Sequence, residues 1–226
     1  MCGRFALFSS LDAILDRFEL RQELPESGYT PRYNIMPTQP VLTVIALQGG
    51  ERDLTSLRWG LIPSWAKDPA IGNRLINARA ETLFEKPSFR AAVRERRCLI
   101  LADGFYEWRR TERGKVPMYI QLKSKRHFGF AGLWESWRSP EGREIKSCSI
   151  VTTESNELVR PIHNRMPVIV HQEIEGLWLD PQVRSERELR EVLRPYPAKE
   201  MEAYAVSPLV NSPAHDRPEC IEPLRG

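Results

Sequence analysis

The chain has 226 residues, enough for one large domain or two small ones. Hydrophobic residues at 41% and charged residues at 28% are ordinary for a globular protein, and no apolar run of about 18 residues offers a membrane span. The N-terminus lacks a basic stretch followed by an apolar one, so it does not read as a secretory signal, and a cytoplasmic protein is expected. The net charge of +3 is small, but nine Lys/Arg stand against four Asp/Glu between Arg58 and Arg97. Such a local excess either attracts phosphates or lies on a solvated face.

In chain order, "SSLDAILDRFEL" predicts a helix: Leu11, Ile14, Leu15 and Phe18 fall on one face, and Ser10 is a good N-cap. Pro25 and Gly28 are expected to end that region. "YTPRYNIMPTQP", with three prolines, reads as an extended, rigid loop. "VLTVIAL" and "LTSLRWGLI" read as strands that pair as a hairpin across "GGERD". "PSWAKDPAIGNRLINARAETL" reads as irregular, and "SFRAAVRER" as a short helix with Phe89, Ala92 and Val93 inward. "RCLILADGFYEW" begins as a buried strand and then meets Gly104; "PMYIQLK", "FGFAGLW" and "IKSCSIVTT" read as three more strands, with "RRTERGK" and "RSPEGRE" as polar turns. "NELVRPIHNRMPVIV" is a loop entering a strand, "SERELREVLRP" a helix with a Ser185–Glu188 capping box, and "MEAYAVSPLVNSPAHDRPE" a last strand followed by coil. About six to eight strands outnumber the helices without regular alternation, which predicts one α+β domain over 1–226, with 220–226 a short tail. Its core should be a mostly antiparallel, curved or barrel-like sheet flanked by short helices.

The cysteines, Cys2, Cys98, Cys148 and Cys220, form no C-x-x-C pair, and the four histidines are scattered, so no metal site is expected. Cys98 and Cys148, on strand-like segments, read as buried free thiols, and Cys220 as incidental. "MCGRF", "NARAET", "DGFYEW" and "HNRMP" each hold a polar residue that a core would not accept unpartnered. Glu107, between Tyr106 and Trp108, is either a desolvated general acid/base or an edge glutamate facing water. His163 is either functional or an inert loop histidine. Asn77 and Arg79 are either functional or a turn cap and a partner for Glu81. Removal of Met1, favoured before a small residue, would leave Cys2 with two nucleophiles, an α-amine and a thiol.

These stretches, together with "YNIMPTQP", "RWGLIPSWAKD", "RRCLILADGFYEW", "FAGLW", "TTESN" and "HNRMPVIV", follow one another in the order of a known family over roughly 170 residues. The chain resembles the SRAP (SOS response-associated peptidase) domain family. The resemblance implies binding to abasic sites in single-stranded DNA, junctions with duplex included, and a covalent thiazolidine crosslink through the N-terminal cysteine, here Cys2. It implies Asn77, Glu107 and His163 as the other active-site residues, Arg4, Arg79 and Arg165 as phosphate contacts, and Trp65 as part of a DNA-facing wedge. Gly3, allowing close backbone approach, Pro40 in a rigid turn, and Trp108 complete the expected DNA-facing set. No cofactor, metal or membrane partner is implied, and a monomer that joins the nucleoid when bound to DNA is expected. Asn164 departs from the acidic residue common in the family between the histidine and Arg-Met-Pro, which bears on how His163 titrates.

The chemistry suits a 1,2-aminothiol. At pH about 7.4 roughly a quarter of an α-amine is unprotonated, against about 0.1% of a lysine, so the N-terminus is the better trap for an aldehyde. The adjacent thiol then closes a five-membered ring on the imine, an intramolecular step. Glu107 is expected to manage protons on the amine, His163 to protonate the sugar ring oxygen, and Asn77 to hold the amine or sugar. Two other readings stand beside this one: a cysteine peptidase acting at its own Met1–Cys2 bond, and a noncovalent reader of modified DNA.

Overall fold

The computed structural model describes residues 2–20, 28–47 and 49–224, so Met1 and Pro25 lie outside the described residues. Short apolar runs bounded by glycine or polar turns produce strands rather than helices. They are β1 (Phe5–Leu7), β2 (Arg32–Ile35), β3 (Pro40–Ala46), β4 (Arg52–Trp59), β5 (Asn77–Arg79) and β6 (Arg97–Ala102). β7 (Gly104–Thr111), β8 (Gly114–Leu122), β9 (Phe128–Arg138), β10 (Glu144–Glu154), β11 (Arg165–Pro167) and β12 (Met201–Ala205) follow. The helices are α1 (Leu11–Arg17), α2 (Ala92–Glu95), α3 (Glu175–Leu179) and α4 (Glu186–Val192).

Two sheets share one core. The first has the order β12-β8-β7-β1-β2. The second has the order β11-β10-β4-β3-β6-β9, and pairing of β9 with β10 closes it into a barrel. The expected mixed α+β fold with a barrel-like sheet is therefore what forms. Pairing is antiparallel except where β10 runs parallel to β4 and β5. Phe5, fully buried, meets Trp59 at a ring-centroid distance of 5.2 Å and Phe130 edge-on at 5.8 Å, joining β1 to the barrel. Burying a side chain of this size contributes roughly 1.5–3 kcal/mol.

The helix expected from Ser10 forms as α1, with Ser10 Oγ accepting from the Ala13 amide at 3.3 Å and Ile14 and Phe18 buried. α2 buries Ala92 and Val93, and Ser185 caps α4 by accepting from the Glu188 amide at 3.4 Å. Two segments differ from expectation. The proline-rich stretch is not all loop: between Pro31 and Pro37, β2 pairs with β1, and Asp216 Oδ1 accepts from the Tyr33 and Asn34 amides at 2.5 and 2.9 Å. Proline removes only its own N–H, so the residues between remain free to pair. The stretch expected to be irregular contains a 3-10 helix at Pro69–Arg74, capped by Asp68, and then β5. α3, which sequence periodicity did not flag, packs on β6, where Trp178 Nε1 donates to the Cys98 carbonyl at 2.9 Å. The four cysteines are free and buried.

Candidate functional site

Residues 2–4 lead directly into β1, and the Tyr106 amide donates to the Arg4 carbonyl at 3.0 Å, so β7 holds the N-terminal segment in register. Cys2 is fully buried, with its thiol 3.8 Å from the Arg4 carbonyl. Asn77 opens β5, which the parallel register with β10 fixes opposite Ile150. Its Nδ2 donates to the Cys2 carbonyl at 2.8 Å. Its Oδ1 is buried and, among the described residues, accepts no hydrogen bond. An unmet acceptor of this kind is costly to maintain without a partner to receive.

Glu107 lies on β7 opposite Met118 and is 4% exposed. Burial holds its carboxyl above the usual carboxylate range, and the positive charge of His163 pulls the other way. The Cys2 thiol is pushed well up, first by burial and then by the negative charge of Glu107. It stays protonated at neutral pH. The His163 Nδ1 lies 3.0 Å from the Arg165 amide nitrogen and 3.2 Å from the Arg165 carbonyl oxygen, so the backbone of Arg165 holds that edge of the ring. Cys2, Asn77, Glu107 and His163 are thus brought together from the N-terminal segment, β5, β7 and the loop before β11. Glu107 is buried, which excludes its reading as an edge residue facing water.

The residues expected to face DNA are placed differently from one another. Trp65 is 58% exposed and Arg79 and Pro40 are exposed, while Gly3 is half-buried. Trp108 is half-buried, its Nε1 donating to Asn211 Oδ1 at 2.7 Å, with the Arg4 guanidinium 5.9 Å from its ring centroid. Arg4 Nη1 donates to Asn34 Oδ1 at 2.8 Å and to the Val210 carbonyl. Arg165 forms a two-pronged ion pair with Glu81, at 2.5 and 2.9 Å, and also donates to the Thr152 carbonyl at 2.6 Å. Glu81, read from sequence as a partner for Arg79, takes its hydrogen bonds from Arg165, which hold its carboxyl below the ordinary range. Asn34 and Asp216, which fasten this neighbourhood, were not singled out from sequence. Their partners lie near the other end of the chain, and no local pattern announces them. Among the described residues no group of three or more His, Cys, Asp or Glu is placed to hold a metal ion, and no helix is long and apolar enough to cross a membrane.

Fold and site together define a class: an α+β domain whose N-terminal cysteine sits against an asparagine and a buried carboxylate that feels a histidine. The chain belongs to the SRAP (SOS response associated peptidase) family, whose model matches residues 1–213. It is 53% identical over 223 residues to the abasic site processing protein YoqW of Bacillus subtilis (strain 168), covering 98% of this chain and 99% of that one. It is 33% identical to the abasic site processing protein HMCES of Gallus gallus, covering 99% of this chain and 78% of that one. A crystal structure of a protein from Bacteroides thetaiotaomicron superposes with a TM-score of 0.91 at 28% identity, covering 99% of this chain and 100% of that one.

Proposed function

We propose that this protein processes abasic sites, as its relatives are named for, by binding single-stranded DNA and forming a thiazolidine between Cys2 and the abasic-site aldehyde. The observation that carries the reading is the Asn77 side chain: one end fixes the Cys2 carbonyl at 2.8 Å, and the other is a buried acceptor without a partner among the described residues. An incoming sugar hydroxyl or the amine of a processed N-terminus supplies the donor that Oδ1 lacks. With Met1 removed, the Cys2 α-amine attacks the aldehyde carbon, and loss of water gives the imine. The thiol then adds to the imine carbon: the C–S bond forms, the thiol proton passes to Glu107, and the imine nitrogen takes up a proton. A carboxyl raised by burial, as in Glu107, is suited to exchanging protons near neutral pH. The His163 ring donates a proton to the sugar ring oxygen and favours the open aldehyde.

The peptidase reading has less support. Peptide cleavage by cysteine requires a thiolate, and burial and Glu107 both hold the Cys2 thiol protonated. Ring closure on an imine asks less of the thiol, because the electrophile is already bonded to the same residue. Purified protein, shown by intact mass to lack Met1, should retain an abasic single strand through denaturing electrophoresis. Cys2→Ala should abolish that band. A parent protein that gives no such band at low salt, or a Cys2→Ala variant that gives it undiminished, overturns the thiazolidine.

A further inference from the structure

The hairpin between β7 and β8 carries four cations, Arg109, Arg110, Arg113 and Lys115, against one anion, Glu112, and all five side chains are exposed. None of the four cations has an ion-pair partner among the described residues. Exposed cations elsewhere are of both kinds: Lys125 pairs with Glu202 and Arg190 with Glu186, whereas Lys67, Arg74 and Lys123 have no ion-pair partner among the described residues. Four cations on one hairpin, with Arg110 directly opposite Lys115, are what set it apart. Like charges in that position destabilise a hairpin, and a glutamate at either position would remove the repulsion. A local choice that works against folding marks a place where something else is gained.

β7 also connects this hairpin to the site. Arg109 lies on the same face of the strand as Glu107, and Arg110 on the same face as Trp108. At about 3.3 Å per residue, Arg110 is roughly 10 Å beyond Glu107. That is about three nucleotides at the 3.4 Å rise of a duplex strand. Among the described residues the exposed large apolar side chains, Leu47, Trp65 and Leu224, all lie elsewhere, so the hairpin offers a lipid surface or an apolar protein partner nothing to bury.

We propose that the β7–β8 hairpin is a phosphate-binding arm for the DNA strand running away from the abasic site, about three nucleotides out. The inference rests on the DNA-trapping function proposed above. The contacts are to backbone phosphates, so they carry no information about base or lesion and add equally to binding of undamaged strand. The opposed Arg110–Lys115 pair makes the test unusually clean. Arg110→Gln/Lys115→Gln removes a repulsion, so Tm should hold or rise while binding falls. On an abasic strand of about fifteen nucleotides the Kd should rise on the order of tenfold, and the slope of log K against log salt should flatten by roughly 0.7 per cation removed. An abasic trinucleotide, too short to reach the arm, should lose much less. Lys123→Gln, the loss of one exposed charge just beyond the opposite end of β8, serves as the control and should leave the longer strand's Kd in place. A double variant that binds the longer strand with parental Kd and slope overturns the arm. So does a loss matched by Lys123→Gln or by the trinucleotide. A parent protein that retains no abasic strand at all overturns the arm together with the function it rests on.

Discussion

Glu107 is where the fold accepts a cost for chemistry. Tyr106 and Trp108 flank it in sequence, which leaves both a desolvated carboxyl and an edge glutamate facing water open. Its spatial neighbours were not readable from spacing, because Cys2 and His163 come from distant parts of the chain, and only the resemblance placed them together. Burial raises the Glu107 carboxyl above the usual range, with the His163 charge opposing. The sign of the linkage follows. Between the ordinary carboxylate pKa and the raised one, the native state binds more protons than the unfolded chain, so stability falls as pH rises through that window. Glu107→Gln keeps the shape and removes the charge. Its Tm should exceed the parent's at about pH 8, by about 2–4 °C for each kcal/mol relieved, and the gap should close below about pH 4, where the parent is protonated in both states. Crosslinking to an abasic strand should meanwhile fall by roughly 10²- to 10⁴-fold. Thermal unfolding across pH and a denaturing gel time course check the two halves. A Tm below the parent's at every pH would mean that the contacts of Glu107 outweigh its desolvation.

At the scale of elements, the decisive feature is the break in "RCLILADGFYEW". Sequence reads an apolar strand that meets Gly104. The structure ends β6 at Ala102 and starts β7 at Gly104, so one run serves the barrel and then the other sheet. Asp103, 5% exposed, turns the corner by accepting from the Phe8 and Ser9 amides at 2.5 and 2.8 Å. Gly104 is required by close approach: a Cβ there would stand 2.4 Å from atoms of the Tyr119 ring and 2.8 Å from the Ile120 carbonyl oxygen. Tyr119 is fully buried and packs against Tyr106 at 5.0 Å, so it has little room to yield. Gly104→Ala should therefore cost roughly 1–3 kcal/mol by overpacking. Tm should drop by about 2–4 °C per kcal/mol, and crosslinking should slow as well, because β7 is the strand that carries Glu107. A parental melting curve would show that Tyr119 does move. Elements defined by their own residues, such as α1, α4 and the β3–β4 hairpin, were legible in this way. β2 and β5 were not, because each is a short strand defined by its partner: β2 by β1 and the Asp216 carboxylate, β5 by its parallel register on β10.

At the scale of the whole molecule, both ends of the chain meet at Asn34, which is 1% exposed. Its Nδ2 lies within hydrogen-bonding distance of three carbonyls of the C-terminal segment, Val210 at 3.2 Å, Ser212 at 3.1 Å and His215 at 2.6 Å. Its Oδ1 accepts from Arg4 at 2.8 Å, and Arg4 itself also reaches the Val210 carbonyl. One amide therefore ties β2, the C-terminal turns and the residue two positions after Cys2. Asn211, in the same turn, receives the Trp108 indole, so the segment also steadies the strand beside Glu107. Sequence gave no hint of this, because a proline-rich coil reads as a loose end, and its function as a fastener depends on contacts with β2 and Arg4. Asn34→Ala would leave buried carbonyls without their donor, at a cost of roughly 2–4 kcal/mol, and Tm should fall by roughly 5–15 °C. Asn34→Asp separates the loss of donors from the loss of volume, since it keeps the shape but turns a carboxyl toward three carbonyl oxygens. The Arg4 guanidinium at the other oxygen favours its charged form, but desolvation and the three facing carbonyl oxygens outweigh that one cation, so its native pKa should rise and its deficit relative to the parent should grow with pH. Melting curves from about pH 4 to about pH 8 read this directly. A deficit for Asn34→Asp that is flat or shrinks with pH would show that the Arg4 guanidinium compensates the carboxylate. A melting temperature for Asn34→Ala equal to the parent's would show that the two ends are held together by packing rather than by this amide.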